Sequence, residues 1–413
     1  MKTRIAVFFG GRSPEHEVSV ISGMQALHAA HEAGYEATPV YVDKQGGWWM
    51  GEALSRVETY RSPIQTAKGI MEVTWEQGTP RRLTLVGKQR SRIGRPMKLA
   101  TFDVVLPVFH GGAGENGSFQ GLMEYLEVPY AGSGVMASAI GMDKTMAKRI
   151  ASLADIPVVA SLTVREAFWE TNPSRWVDRV EAMLGLPCIV KPARLGSSIG
   201  VTRVADVTSL PDAIEDALQY DDEVIIEALV PNLREINASV CRIDGEIRVA
   251  PLEEPTAADG WLSFDQKYRG AGARKSGQHQ SGAKGPTRDP AEERGMASLG
   301  RTIPAELPEL LTAEIVAHSI ALYDLMGCHG VVRIDYLMDG STMQVYFNEI
   351  NTSPGSLSFY LWRAADVSFP KLVSALVEEA RQLGTKRRGR ISRFDANLLS
   401  EGRLDGIKGA KAS

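Results

Sequence analysis

Two short segments constrain this chain more than any other part of it: Val331-Val332-Arg333-Ile334-Asp335 and Phe347-Asn348-Glu349-Ile350-Asn351-Thr352-Ser353-Pro354-Gly355. Both read as strands with polar residues at every second position, and side chains at i and i+2 share one face of a strand. Arg333 and Asp335 therefore share a face, and so do Glu349 and Asn351. If the two strands pair with those faces together, two carboxylates, an amide oxygen and a guanidinium converge on one spot. All-oxygen ligation of that kind suits Mg²⁺, a hard cation usually shared between a few protein oxygens and substrate phosphates. The competing explanation is a surface salt-bridge ladder. The clean alternation of apolar and charged residues, followed at once by an Asn-Thr-Ser-Pro-Gly turn, favours the metal-nucleotide site.

A chain of 413 residues has room for two or three domains. Its 46 basic and 50 acidic residues nearly cancel, so composition predicts no nucleic-acid partner. Cys188, Cys241 and Cys328 are widely spaced, without CxxC or zinc-ligand spacing. They read as small buried apolar residues in a reducing compartment. Glycines and charges stop the apolar run Ile5–Phe9 too early for a signal peptide, and no segment approaches membrane-spanning length. The expectation is a cytoplasmic protein without a membrane partner.

The chain begins as a strand (Arg4 to Phe9), a Gly10-Gly11 turn, a helix from about Val18 to Ala33 and a second strand, Ala37 to Val42. Asp103 to Phe109 reads as a buried strand of the same layer, with peripheral strands and loops between. Val135 to Ala154 has helical periodicity. Cys188–Pro192, Ile199–Val201 and Val224–Glu227 read as short strands around one helix, residues 236–255 as further strands, and Thr312 to Met326 as an amphipathic helix. From Gly270 to Gly300 large apolar residues almost vanish, which predicts a mobile loop. From Thr385 to Ser413 the chain is Gly-, Lys- and Arg-rich, which predicts a disordered basic tail.

Lys191-Pro192-Ala193-Arg194-Leu195-Gly196-Ser197-Ser198-Ile199-Gly200 joins two strands through a small turn. Such a turn lets backbone N–H groups approach phosphate oxygens while the lysine supplies a point charge. Alone it is a weak signal, and it is not a GxxxxGK[ST] loop. Glu227-Ala228-Leu229 ends a strand whose carboxylate and amides could read an adenine edge, and Glu235 could accept ribose hydroxyls. Solvated strand-end glutamates explain both equally well.

Taken in order, these pieces resemble the ATP-grasp superfamily, and specifically the D-alanine–D-alanine ligases, from Arg4 to about Leu383. The resemblance rests on Phe9 to Ser19 (FGGRSPEHEVS), His110 to Gly117 (HGGAGENG), Tyr130 to Gly134 (YAGSG), Met142-Asp143-Lys144, Lys191 to Gly200, Arg333-Ile334-Asp335 and Asn348 to Gly355. It implies α/β and α+β architecture: an N-terminal doubly wound α/β domain, with ATP held between two further α+β domains. The boundaries fall at 1–132, 133–230 and 231–384, with a mobile loop at about 256–305 and the tail at 385–413. It implies ATP-dependent ligation of two D-amino acids through an acylphosphate, for cell-wall precursor synthesis, and a homodimer.

Roles carry over by match. Glu15 matches the glutamate that holds the first amino acid's ammonium, where the alternative is a helix cap. Ser197 and Tyr268 match its network partners, and the tyrosine favours an amine as second nucleophile. Lys144, Lys191 and Lys267 match phosphate-contacting lysines, with Ser197, Ser198, Asn348 and the Glu227–Leu229 and Glu235 positions completing the nucleotide site. Asp335, Glu349 and Asn351 match the ligands of two Mg²⁺ (or Mn²⁺) ions. Arg333 and the Gly355 N–H match the groups that face the tetrahedral intermediate. His110 matches the histidine near the first substrate's carboxylate, where the alternative is a core histidine satisfied by backbone.

Three features depart from the family pattern. On a gapless count Tyr360 stands where the family has a serine that binds the second amino acid's carboxylate, and the proline that closes the motif is missing. The Gly270–Gly300 stretch is an insertion. Asn116 stands where Gly-Glu-Asp-Gly is usual. Tyr360 leaves open a ligase of the same chemistry with a different acceptor; a separate alternative is an ATP-binding protein without catalysis, against which every phosphate- and metal-facing position is intact.

Overall fold

The structure, a computed structural model, describes residues 2–76, 81–90, 96–255 and 300–390. The first strand, β1 (Arg4–Gly10), is apolar almost throughout and lies one strand in from the edge of a seven-stranded sheet. It pairs in parallel with β2 (Glu36–Val42) on one side and β7 (Val104–Pro107) on the other. The helix α1 (His16–Glu32) crosses between β1 and β2, as a parallel connection requires. The region expected to hold peripheral strands supplies β3 (Trp48–Gly51), β4 (Ile70–Trp75), β5 (Leu83–Arg90) and β6 (Pro96–Phe102), which extend the sheet antiparallel in the order β6-β5-β4-β3-β2-β1-β7.

After the short helices α2 (Gly112–Glu115) and α3 (Ser118–Tyr125), the helical stretch expected at 135–154 is broken in two. Asp143 is extended and its side chain accepts from Met146 N at 2.9 Å, so α4 (Val135–Met142) ends and α5 (Lys144–Leu153) is capped at the same residue. The second sheet is antiparallel, in the order β10-β9-β11-β8: β8 (Ser161–Arg165), β9 (Cys188–Pro192), β10 (Thr202–Val204) and β11 (Glu223–Ala228). The one helix expected among these strands is α8 (Leu210–Leu218), while α6 (Glu166–Thr171) and α7 (Pro173–Met183), which the sequence reading did not single out, lie between β8 and β9. The strand expected at Ile199–Val201 begins at Thr202, because Ser197, Ser198 and Gly200 have positive φ and belong to the turn.

The third sheet is β13-β12-β16-β17, all antiparallel: β12 (Leu233–Ile243), β13 (Glu246–Val249), β16 (Val332–Asp339) and β17 (Val345–Asn351). The small pair β14 (Glu254–Pro255) and β15 (Arg301–Thr302) lies beside it, and α9 (Glu309–Leu325), α10 (Phe359–Arg363) and α11 (Phe369–Arg388) follow in chain order. Helix α11 runs past the expected tail start at 385; residues 391–413 and the loop residues 256–299 lie outside the described part.

Each sheet lies within one sequence segment, but the cores do not. Leu372, Val373 and Leu376 of α11 pack with Ile5, Val7 and Leu27 of the first layer. Ala147 and Ala151 of α5 pack with Ile236, Ile334 and Ile350 of the third sheet. The three cysteines are buried, as their composition suggested. Among the described residues no helix is long and apolar enough to cross a membrane.

Candidate active site

Strands β16 and β17 bring the four polar residues together. Arg333 lies opposite Asn351 and Asp335 opposite Glu349, while Ile334, Tyr336, Phe347 and Ile350 enter the core. Phe347 and Ile350 are three residues apart, which strict alternation forbids. A register shift between Asp335 and Tyr336 pairs Tyr336 with Phe347 and leaves Asn348 as the extra residue. This bulge re-aims the strand. Asn348 and Glu349 are then both only half-buried, and Asn348 Oδ1 accepts from Lys191 Nζ at 3.2 Å.

Within the cluster, Arg333 donates to both Asp335 oxygens at 2.7 Å, and Asn351 Nδ2 donates to Asp335 Oδ2 at 3.1 Å. Burial works against the Arg333 charge, but the Asp335 carboxylate, with Tyr360 and Glu253 nearby, more than restores it. Lys144, the first residue of α5, comes within 3.3 Å of Glu349 Oε2 and donates to the Leu195 carbonyl at 2.6 Å. The phosphate-type turn and the acidic strand are thereby tied to one lysine.

Behind it lies a buried charge triad. Glu227, at 2 % exposure, pairs with Lys148 at 2.8 Å and Lys191 at 2.7 Å. Burial would raise its pKa, but the two lysine charges and their hydrogen bonds bring it down to about 2. Burial lowers the Lys148 pKa, against the pull of Glu227. The Glu227 carboxylate, expected to read an adenine edge, is thus committed to positioning lysines. Ala228 N is also engaged, by the Ala160 carbonyl at 3.0 Å. Leu229 and Glu235 are half-buried on the segment that follows, Glu235 opposite Leu337 in the third sheet. Lys148 was not singled out from sequence, although it lies one helical turn after Lys144 on the same face of α5.

Glu15 stands just before α1, but its side chain makes no capping bond; it receives the Ser197 hydroxyl from the second-sheet turn instead. Gly111 is required beside it, since a Cβ there would meet Glu15 Oε2 at 2.5 Å, and its φ is +67°. Glu15, Ser197, Arg333, Glu349, Asn351 and Gly355 line one cavity, together with Lys144, His110 and Glu115.

His110 is buried and bonded at both ring nitrogens, Nδ1 to the Ser353 carbonyl at 2.7 Å and Nε2 to Ser22 Oγ at 2.8 Å. Burial lowers its pKa despite the nearby Glu15. Glu115 entered the sequence reading only as part of the His110–Gly117 motif, without a role. Its carboxylate accepts from Gly111 N at 2.7 Å and Ser353 N at 3.1 Å, and burial, reinforced by Glu15, raises its pKa to about 7.

Tyr360 does not line this cavity. Its hydroxyl donates to Glu253 Oε2 at 3.2 Å, and the Arg301 guanidinium lies 4.1 Å over its ring while pairing with Glu253 at 2.6 Å. Lys267 and Tyr268 fall outside the described residues.

The donor set fits a divalent cation: two carboxylates and an amide on facing strands, with Arg333 and Lys144 balancing their charge. Among the described residues no group of three or more His, Cys, Asp or Glu could hold a metal ion. Two antiparallel α+β layers, with Lys191 of one bonded to Asn348 of the other, together with an N-terminal α/β layer, define the ATP-grasp class. The family model described as D-ala D-ala ligase N-terminus matches residues 4–133, and that for the D-ala D-ala ligase C-terminus matches residues 150–287 and 292–378. The chain belongs to the D-alanine–D-alanine ligase family.

Relatives named D-alanine–D-alanine ligase include one from Methylobacterium sp. (strain 4-46), 35% identical over 96% of this chain and 97% of its own length. Another, from Rhodococcus opacus (strain B4), is 35% identical over 93% and 98%. Among solved structures, the VanG D-Ala:D-Ser ligase from Enterococcus faecalis is 26% identical with a TM-score of 0.71, covering 92% of this chain and 100% of its own. The D-alanine–D-alanine ligase from Coxiella burnetii, at 24% identity and a TM-score of 0.72 over 94% and 96%, supports the fold.

Proposed function

We propose that this chain joins two molecules of D-alanine, with ATP cleaved to ADP and phosphate as the peptide bond forms. The observation that carries the reading is the convergence of Glu15, Ser197, Arg333, Glu349 and Gly355 on one cavity from three separate layers of the fold. A carboxylate is a poor electrophile, so its oxygen first attacks the γ-phosphorus of ATP and ADP departs. The amine of the second D-alanine then attacks the acyl carbon, and phosphate leaves as the peptide bond forms.

Glu15, held by Ser197, binds the ammonium of the first D-alanine. Lys144 and Lys191 neutralise phosphate charge, with Lys148 and Glu227 fixing Lys191 from behind. Mg²⁺ ions on Asp335, Glu349 and Asn351 would spread the charge of the transferring phosphoryl oxygens. Arg333 and the Gly355 N–H face the oxyanion, a role in which losing one donor costs about 3–4 kcal/mol of barrier. The nucleotide base lies along Ala228 and Leu229, with Glu235 accepting ribose hydroxyls.

A second reading concerns the acceptor alone. The Tyr360 phenol is spent on Glu253 and stacked under Arg301, so this wall is built differently from a serine. An acceptor other than D-alanine follows if that wall selects it. Phosphate release with Mg²⁺-ATP and D- and L-amino acids, singly and in pairs, with products weighed by mass spectrometry, tests both. D-Alanine alone yielding the dipeptide is the expected outcome. Release only in the presence of a different partner amino acid would transfer the acceptor role to it. No release with any pair would overturn the ligase reading.

A further inference from the structure

The turn that carries Gly355 is held by three side chains that belong to a different layer. Glu115 Oε1 accepts from Ser353 N at 3.1 Å while its Oε2 accepts from Gly111 N at 2.7 Å. His110 Nδ1 meets the Ser353 carbonyl at 2.7 Å. A carbonyl only accepts, so Nδ1 carries the proton and the neutral ring's Nε2 accepts from the Ser22 hydroxyl at 2.8 Å. Ser22 Oγ, on α1, in turn accepts from Ser356 N at 2.9 Å. Donors and acceptors alternate without conflict along the whole chain.

The peptide groups so held lie on both sides of Gly355. The backbone there has little freedom to hold itself. Ser356, Leu357 and Ser358 take φ of 53°, 51° and 49°, a left-handed run that non-glycine residues keep only where surroundings impose it. We propose that Ser22, His110 and Glu115 act together as positioning residues, a clamp that aims the Gly355 N–H into the cavity from the N-terminal layer. The proposal deepens the ligase reading and rests on it for the role of that N–H. It gives His110 a task at the turn rather than on a substrate carboxylate. It also explains why a buried carboxylate is kept next to Glu15: Glu115 needs both oxygens, one for each N–H, and an amide offers only one.

The test uses the full chain carrying Ser22→Ala or Glu115→Gln. Steady-state kinetics with Mg²⁺-ATP and D-alanine are combined with hydrogen exchange of peptides spanning residues 353–358. Misaiming a group by about 1 Å can cost on the order of 100-fold in rate. The expected kcat loss is therefore about 10-fold for Ser22→Ala and about 100-fold for Glu115→Gln, with the KM for ATP within about twofold of wild type. Exchange in 353–358 should be faster in both. A kcat unchanged in a folded variant, or a loss with exchange in 353–358 unaltered, overturns the clamp. If one variant does not fold, the other decides. If wild type makes no dipeptide, the ligase reading falls, and the exchange comparison still decides whether Ser22 and Glu115 hold the turn.

Discussion

Two buried glutamates flank the site and titrate in opposite directions. Glu227, between β9 and α5, has two lysines within 2.8 Å and is driven down to about 2. Glu115, beneath the Gly355 turn, has two backbone N–H groups, with Glu15 and Glu349 as its acidic neighbours, and is driven up to about 7. Both carboxylates are stripped of water, so the difference lies in what replaces it. Full opposite charges restore the ionised form, whereas two peptide dipoles do not. Lys191 is therefore held by ion pairs and the Gly355 turn by hydrogen bonds.

The largest way to break this contrast is Lys148→Met, which strips one lysine from Glu227 but leaves the proposed phosphate contact, Lys191, in place. Removing one partner of a buried charge pair costs roughly 3–5 kcal/mol, and Lys191 should hold the loss near 3. Urea unfolding measures it. A loss under about 1 kcal/mol would show that one lysine suffices.

The pH dependence sharpens the contrast further. Between the ordinary value of 4.5 and about 7 the folded chain keeps a proton on Glu115 that the unfolded chain has lost. Stability therefore falls as pH rises through that window, by about 3 kcal/mol at most, and the cost is fully present above pH 7. Glu227 has the reverse sign: its contribution is fully present above 4.5 and is lost only as pH falls toward about 2. Unfolding free energies at pH 4.5 to 8 should thus give a sloping difference between wild type and Glu115→Gln, and a flat one for Glu227→Gln. Two flat differences would mean that Glu115 is ionised in the folded protein throughout.

The acidic strand pair was legible in the sequence because a strand with one buried face must alternate, and Arg333, Asp335, Glu349 and Asn351 kept the beat. The bulge at Asn348 was not, since one extra residue changes no composition. Glu15 and Ser197 were joined only through their family match, being 182 residues apart. Lys148, Glu115 and Ser22 escaped for one physical reason. Nothing in the spacing of α5, α2 or α1 marks these residues, and burial against another layer is what gives each its task. The expected single helix from 135 to 154 failed at Asp143, where a capping side chain outweighed apolar periodicity.

The smallest expected effect concerns the wall at Tyr360. Tyr360→Phe keeps the ring beneath Arg301 and removes only the bond to Glu253, a loss of about 1 kcal/mol in stability. Tyr360→Ser removes the ring as well, opening space beside Arg301 and leaving its guanidinium without a stacking surface. If the ring selects the acceptor, the serine variant should change the ratio of kcat/KM between D-alanine and D-serine by about tenfold, roughly 1.4 kcal/mol, while phenylalanine leaves it unchanged. Equal ratios in all three proteins would confine Tyr360 to holding Arg301 and Glu253 in place. Acceptor choice would then lie with the turn that bears Gly355, the part of the wall that lines the cavity directly.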